Sequence, residues 1–297
     1  MNATLYVSTA RAAAALGVSV TTVKRWADDG ILPAHKTAGG HRKLLLADVL
    51  RLVNEGDFPR LDLTLLRSAE PAAPAVLRRD LTTALRNGDG PRVTALIQDA
   101  FHAGLSIASL GDEVVGPAVN QLGHDWEGGR IGVLHEHRGT QLCAGALYQL
   151  KAALTTAPAR QRPLAIGGAP EHDHYVLPTL LVQMTLLDLG WDAVNLGPHT
   201  PFSSLRQAVR ELKPRLIWLA ASHLTQPDVF LPEYREFFRE AAQADVAVAV
   251  GGRALTDEIR RQMPYTSFGD RLEHLAAFTR TLQARPRPPR RGRPPAN

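Results

Sequence analysis

Trp126 is followed, after nine intervening residues, by the adjacent pair Glu136 and His137. Tryptophan offers a large, flat apolar surface with few rotors. Imidazole is a metal ligand through one nitrogen when the other is oriented by an acceptor. A second set of such residues lies downstream. His174 follows an apolar run at residues 164–167. Ser222-His223-Leu224 follows another at 216–220, and Gly251-Gly252 a third at 246–250. These types can pack a flat surface, donate an imidazole nitrogen to a metal and, at glycine, let a backbone approach closely. Elsewhere Trp and Glu-His serve packing and solvated surface, so the surrounding elements decide.

Those elements fall into blocks. A chain of 297 residues with 44% apolar and 21% charged residues is long enough for two or three globular domains. No apolar run approaches the roughly 20 residues of a membrane span, and the N-terminus carries no secretory pattern. The single cysteine, Cys143, fits a reducing cytoplasm and sits in an apolar helical context. The net charge of +5 is gathered at the ends. Residues 1–60 carry a surplus of three cations, and residues 285–293 hold five arginines and no acid. Such a distribution suits a nucleic-acid partner better than a membrane or a small acidic substrate.

Residues 7–16 read as a short helix broken by Gly17, and Ser19 caps a second helix. In that helix Val20, Val23 and Trp26 form the apolar side; Thr21, Thr22, Lys24 and Arg25 form the other. Helix, glycine turn, helix is the helix-turn-helix pattern. Ala38-Gly39-Gly40 then turns a hairpin that presents His41, Arg42 and Lys43 as a basic wing, and a further helix starts near Asp48. Hydroxyl and cationic side chains on the second helix suit base edges and phosphates. The wing cations suit the phosphate backbone.

Residues 57–75 read as a linker. Residues 76–158 show four amphipathic helices, at about 76–87, 90–103, 106–122 and 132–155, which predict a four-helix bundle. From 162 to 283 short apolar strands alternate with helices, which predicts a parallel doubly wound sheet with ligands at the strand carboxyl ends. Expected helices are 177–189, 202–212, 234–242, 257–262 and 270–282. Expected strands are 164–167, 192–196, 216–220, 246–250 and 265–267. Residues 284–297 are Pro/Arg-rich and expected to be disordered. The fold class is therefore multidomain, α and α/β: a winged helix-turn-helix, a four-helix bundle and a Rossmann-like domain.

The head resembles the MerR-type winged helix, on Ala13-Ala14-Ala15-Leu16-Gly17-Val18-Ser19, Val23-Lys24-Arg25-Trp26, Gly30-Ile31-Leu32-Pro33 and Gly39-Gly40-His41-Arg42-Lys43. With the bundle and the α/β domain, the whole chain resembles the CarH/LitR family of cobalamin-dependent, light-sensing transcriptional repressors. That resemblance implies a transcriptional regulator, not an enzyme, that is cytoplasmic and binds adenosylcobalamin through its cobalt. It implies operator DNA and further copies of the chain, as dimer or tetramer, as partners, and no membrane. Trp126, Glu136 and His137 would then cover the upper face of the corrin, with His137 able to replace a photolysed alkyl group. Ser222, Leu224, Gly251 and Gly252 would line the nucleotide tail, and His174 would ligate cobalt from below. Two residues depart from the family's lower-face motif. His172 stands where an acid is expected. Leu177 stands where a glycine leaves room for the tail. These departures favour, as the alternative, a regulator of this fold that has lost or altered its ligand and answers to another tetrapyrrole or a protein partner. A corrinoid carrier or mutase-like enzyme has no use for a winged-helix head. A nicotinamide-dependent dehydrogenase would need a Gly-x-Gly-x-x-Gly after the first strand, which is missing.

Overall fold

The structure is a computed structural model; it describes residues 6–36, 42–55, 73–154 and 162–284. The chain divides into two compact units, residues 1–161 and 162–297.

The first unit opens with β1 (Tyr6–Ser8), α1 (Thr9–Leu16), α2 (Val20–Asp28), β2 (Ala34–Lys36), β3 (Arg42–Leu45) and α3 (Leu46–Glu55). The three strands form an antiparallel sheet in the order β1-β3-β2. Two expectations are corrected here. Residues 7 and 8 are strand, not helix, because Val7 pairs with Leu44 and is buried in the head's core. The helix expected near Asp48 begins two residues earlier, at Leu46. Ser19 caps α2 as expected, accepting the Thr22 N–H at 3.0 Å. Ala12, Leu16, Val23, Leu32 and Val49 close the core, and Trp26 packs against it.

The helical part comprises α4 (Pro74–Asn87), α5 (Gly90–His102), α6 (Ile107–Ser109), a π-helical stretch (Leu110–Val115), α7 (Gly116–Glu127) and α8 (Val133–Leu154). With α6, the π stretch and α7 running on as one, these are four helices packed on Leu81, Leu85, Val93, Leu110, Leu122 and Leu147. The third helix ends at Glu127, five residues later than expected. Its last turn is held by Asp125 (below), which places Trp126 inside the helix.

The second unit contains β4 (Leu164–Pro170), α9 (Val176–Asp188), β5 (Asp192–Thr200), α10 (Phe202–Leu212), β6 (Leu216–Ala220), α11 (Pro227–Gln243), β7 (Ala247–Gly251), α12 (Asp257–Arg260), β8 (Ser267–Gly269) and α13 (Leu272–Ala284). The five strands are all parallel, in the order β5-β4-β6-β7-β8. The first strand of the unit thus lies between its second and third, so the winding reverses between β4 and β6. A helix starting at 234 was expected; α11 starts seven residues earlier, at Pro227, and accommodates Pro232 within its length. The final strand lies at 267–269 rather than 265–267, paired to β7 through Phe268 and Val250.

Period-2 alternation divides the sheet's faces. Ile166, Ile217, Leu219, Val248 and Val250 meet Phe202 and Leu205 of α10 and Tyr234 and Phe237 of α11. The opposite face, toward α9, carries Gly167, Ala169, Trp218, Ala220 and Ala249. Its contact with α9 includes the Trp218 Nε1–H donated to Thr179 at 3.0 Å. Among the described residues no helix is long and apolar enough to cross a membrane.

Candidate functional site

The reversal of winding opens a crevice at the carboxyl ends of β4 and β6, where doubly wound sheets take their ligands. An open cleft of ≈ 410 Å³ lies there, lined by His172, His174 and Tyr175 after β4 and by His223 and Thr225 after β6. His174 therefore stands in the crevice, as its position after the first strand led us to expect.

Asp173, wholly buried, builds this crevice. One carboxylate oxygen accepts the Tyr175 N–H at 3.0 Å; the other accepts the N–H groups of Ser222 at 2.5 Å and His223 at 3.1 Å. A carboxylate is suited to three backbone donors because both oxygens accept and neither donates. The loop after β4 is thereby clamped to the loop after β6. On the other side, His199 near the end of β5 donates its N–H to the Asp173 carbonyl at 2.8 Å. Its Nδ1 accepts the His172 N–H at 2.8 Å. Because a backbone N–H only donates, Nδ1 bears no proton and a neutral His199 carries its hydrogen on Nε2. The His174 ring stacks on His199 with centroids 5.3 Å apart and planes at 23°. His172 and His199 hold φ of 67° and 53°. Such left-handed backbone in non-glycine residues costs about 1–3 kcal/mol each and persists only where the surroundings impose it.

Sequence reasoning gave Asp173 and His199 no role. The acid one residue from the expected position braces the backbone, and an imidazole flanks His174. Arg253 was missed as well. Its guanidinium lies 4.9 Å over the Tyr175 ring, and its Nε donates to the Ser222 carbonyl at 3.2 Å, so the loop after β7 joins the same brace.

The other residues expected on the lower face sit close by with duties of their own. Ser222 spends its N–H on Asp173, and Leu224 packs against the α10–α11 core. Gly252 has φ of 110°, and a Cβ there would run into the Ala221 backbone; one on Gly251 would meet the Gly269 carbonyl. The chain itself requires both glycines. Leu177, in the first turn of α9, is buried.

The residues expected on the upper face flank the turn between α7 and α8, at one end of the bundle. Trp126 is 46% exposed in the last turn of α7. Glu136 and His137 lie in the first turns of α8, their side chains 21% and 74% exposed and 3.5 Å apart. Glu136 also accepts the Thr140 hydroxyl at 3.0 Å. Asp125, beside Trp126, fixes this end. Its buried carboxylate accepts from Gln121 at 2.9 Å, from Arg130 at 2.9 Å and from Arg86 of α4, and its carbonyl accepts the Arg130 N–H at 2.8 Å. The Gln121 hydrogen bond, then those of the two arginines, hold its carboxyl below the ordinary range against the opposing effect of burial. Among the described residues no three His, Cys, Asp or Glu side chains form a cage for a bare metal ion.

In the head, Thr21, Lys24 and Arg25 are exposed on α2, whereas the Thr22 hydroxyl is 2.8 Å from the Ser19 hydroxyl. Arg42 of β3 pairs with Asp28 at 2.6 Å, tying the wing strand to the end of α2. Lys43 lies in β3 opposite Ser8 and His35; His41 and the 38–40 turn lie outside the described residues.

Comparison with known proteins agrees with this layout. The family described as "Helix-turn-helix domain" matches residues 6–58, and "B12 binding domain" matches 77–151, the bundle. The HTH-type transcriptional repressor CarH of Myxococcus xanthus is 27% identical over 82% of this chain and 87% of its own length. CarA of the same organism, also an HTH-type transcriptional repressor, is 26% identical over 67% of each chain. The monomethylamine corrinoid protein of Methanosarcina barkeri superposes with a TM-score of 0.58 at 17% identity, over 70% of this chain and 98% of that one, which shows a shared fold. A helix-turn-helix head, a helical bundle matched by the B12 binding domain model and a parallel Rossmann-like unit stand here in one chain, which is similar over most of its length to the CarH and CarA repressors.

Proposed function

We propose that the protein is a cobalamin-binding, light-responsive transcriptional repressor whose oligomerisation and operator binding are gated by adenosylcobalamin and its photolysis. The observation that carries this reading is the imidazole of His174, held in the switch-point crevice by the Asp173 clamp and the His199 stack. An imidazole nitrogen on a braced loop would be a donor suited to a corrin cobalt. Bound adenosylcobalamin would supply a cobalt–carbon bond that light can break. The chain's own residues do the rest. Trp126 would offer a flat apolar surface to the ligand. The exposed His137, 3.5 Å from Glu136, would offer a second imidazole to the cobalt. Thr21, Thr22, Lys24, Arg25, Arg42 and Lys43, with His41, would meet DNA. Separating such heads lowers operator affinity through lost avidity, with every DNA contact left intact. The protein would act in the cytoplasm, as an oligomer and without catalysis.

The test is gel filtration of the protein with adenosylcobalamin in the dark and after green light. Coloured protein at a larger size in the dark, and a smaller size with a changed spectrum after light, is the expected outcome. Colourless protein of unchanged size would favour the second reading, a regulator that has lost or altered its ligand. The burial of Leu177 is the observation on that side.

A further inference from the structure

The residues around His174 fit a corrin's lower face; the path beneath them does not fit a nucleotide arm. On the sheet face toward α9, Gly167, Ala169, Ala220 and Ala249 are small. In their midst the central strand β6 carries Trp218, which is wholly buried. A Cβ on Gly167 would collide with its indole, so the ring occupies the space that glycine frees on the neighbouring strand. The indole is pinned as well as packed. Its Nε1–H donates to Thr179 at 3.0 Å, Thr179 donates to Asn195 at 2.9 Å, and that same Asn195 oxygen accepts the Gly197 N–H at 2.9 Å. Leu177, two residues before Thr179, is buried at the start of the same helix. Protein side chains in a hydrogen-bonded, close-packed layer do not yield to a ligand arm without unmaking those bonds.

We propose that this crevice takes a corrin by its ring alone, and that Trp218, with Leu177, excludes the nucleotide arm from the α/β unit. Trp218 is then the specificity-determining residue, and the ligand class is a corrinoid whose arm is absent or stays in solvent. The proposal rests on the cobalamin reading above and names how that site selects its ligand.

The experiment is a pair of absorbance titrations of the full-length protein in the dark, one with adenosylcobalamin and one with adenosylcobinamide, which lacks the nucleotide arm. If the arm makes no buried contact, removing it costs nothing, and cobinamide binds within about threefold of cobalamin or more tightly. Cobalamin binding more than about threefold tighter overturns the proposal. If neither corrinoid binds, the cobalamin reading falls and takes this proposal with it, a result distinct from a cobalamin preference. Trp218→Ala should open the layer and shift the affinity ratio toward cobalamin by about tenfold. Because emptying a buried tryptophan site destabilises a domain heavily, Leu177→Gly is the second variant, expected to shift the ratio the same way. An unchanged ratio in a variant that still melts cooperatively overturns the assignment.

Discussion

Asp173 accepts the backbone N–H of Ser222 at 2.5 Å across the two loops that border the crevice, forty-nine residues apart in the chain. This bond, with those from His223 and Tyr175, makes one rigid rim of two separate loops. Asp173→Asn keeps the size but turns an NH2 group toward backbone donors. It should cost about 2 kcal/mol of unfolding free energy, and Asp173→Ala about 3 kcal/mol, since buried N–H groups lose their acceptors. Urea unfolding followed by far-UV circular dichroism checks this; a loss under 0.5 kcal/mol for the alanine variant would contradict the clamp.

His199 supplies an acceptor and a stacking surface, and two substitutions separate them. Asparagine tolerates left-handed backbone and keeps an oxygen for the His172 N–H, so His199→Asn should keep stability within about 0.5 kcal/mol while freeing the His174 ring. His199→Ala should lose about 1 kcal/mol as well. The readout is the ¹⁵N and ¹H shifts of the His174 imidazole. Unchanged shifts in both variants would mean that the stack does not position His174.

Asp125 gives the bundle an acid-sensitive point. Its folded carboxyl titrates below the unfolded one, so it adds stability above the unfolded pKa, and that contribution is lost as pH falls through the folded pKa. Asp125→Asn should be less stable than the parent at pH 7 by about 1–3 kcal/mol. The gap should narrow below pH 4, the ordinary carboxylate range. A gap that stays constant from pH 7 to pH 3 would show that the carboxylate's charge is not what holds the turn beside Trp126.

Cys143 lies wholly inside the bundle, where burial pushes its thiol up to about 12. A thiolate-directed reagent such as Ellman's should leave the folded protein unmodified at pH 8 and titrate one thiol per chain in guanidinium. Fast labelling of folded protein would contradict the packing of α8.

Lys24 and Arg25 are exposed on α2, while Thr22 is engaged with the Ser19 cap. If the two cations meet phosphates, the double alanine variant should flatten the dependence of log affinity on log salt by about two units on a random-sequence duplex. An unchanged slope would move the DNA-binding face elsewhere on the head.

Much of this architecture is legible in the sequence because its signals are local. Ser19 is an N-cap that any reader of spacing finds, and the strands of the second unit stand out as apolar runs between amphipathic helices. What escaped is set by topology. Asp173 gains its partners only because β4 and β6 are neighbours, which the chain order does not reveal. Trp218 reads as one more strand residue until the glycine beside it, on a different strand, is seen to make way for it. The last turn of α7 holds because Arg86, on another helix, reaches Asp125, so local periodicity ended that helix too soon. The helix expected from residue 234 starts at Pro227 instead, and α11 runs through Pro232.

The central claim is that His174 presents its imidazole to a corrin cobalt. The most direct measurement is the visible spectrum of diaquocobinamide, which has no base of its own, added to the protein and to its His174→Ala variant. The expected result is a red shift to an imidazole-ligated spectrum with the parent and its loss in the variant. Identical spectra for the two proteins would contradict the account.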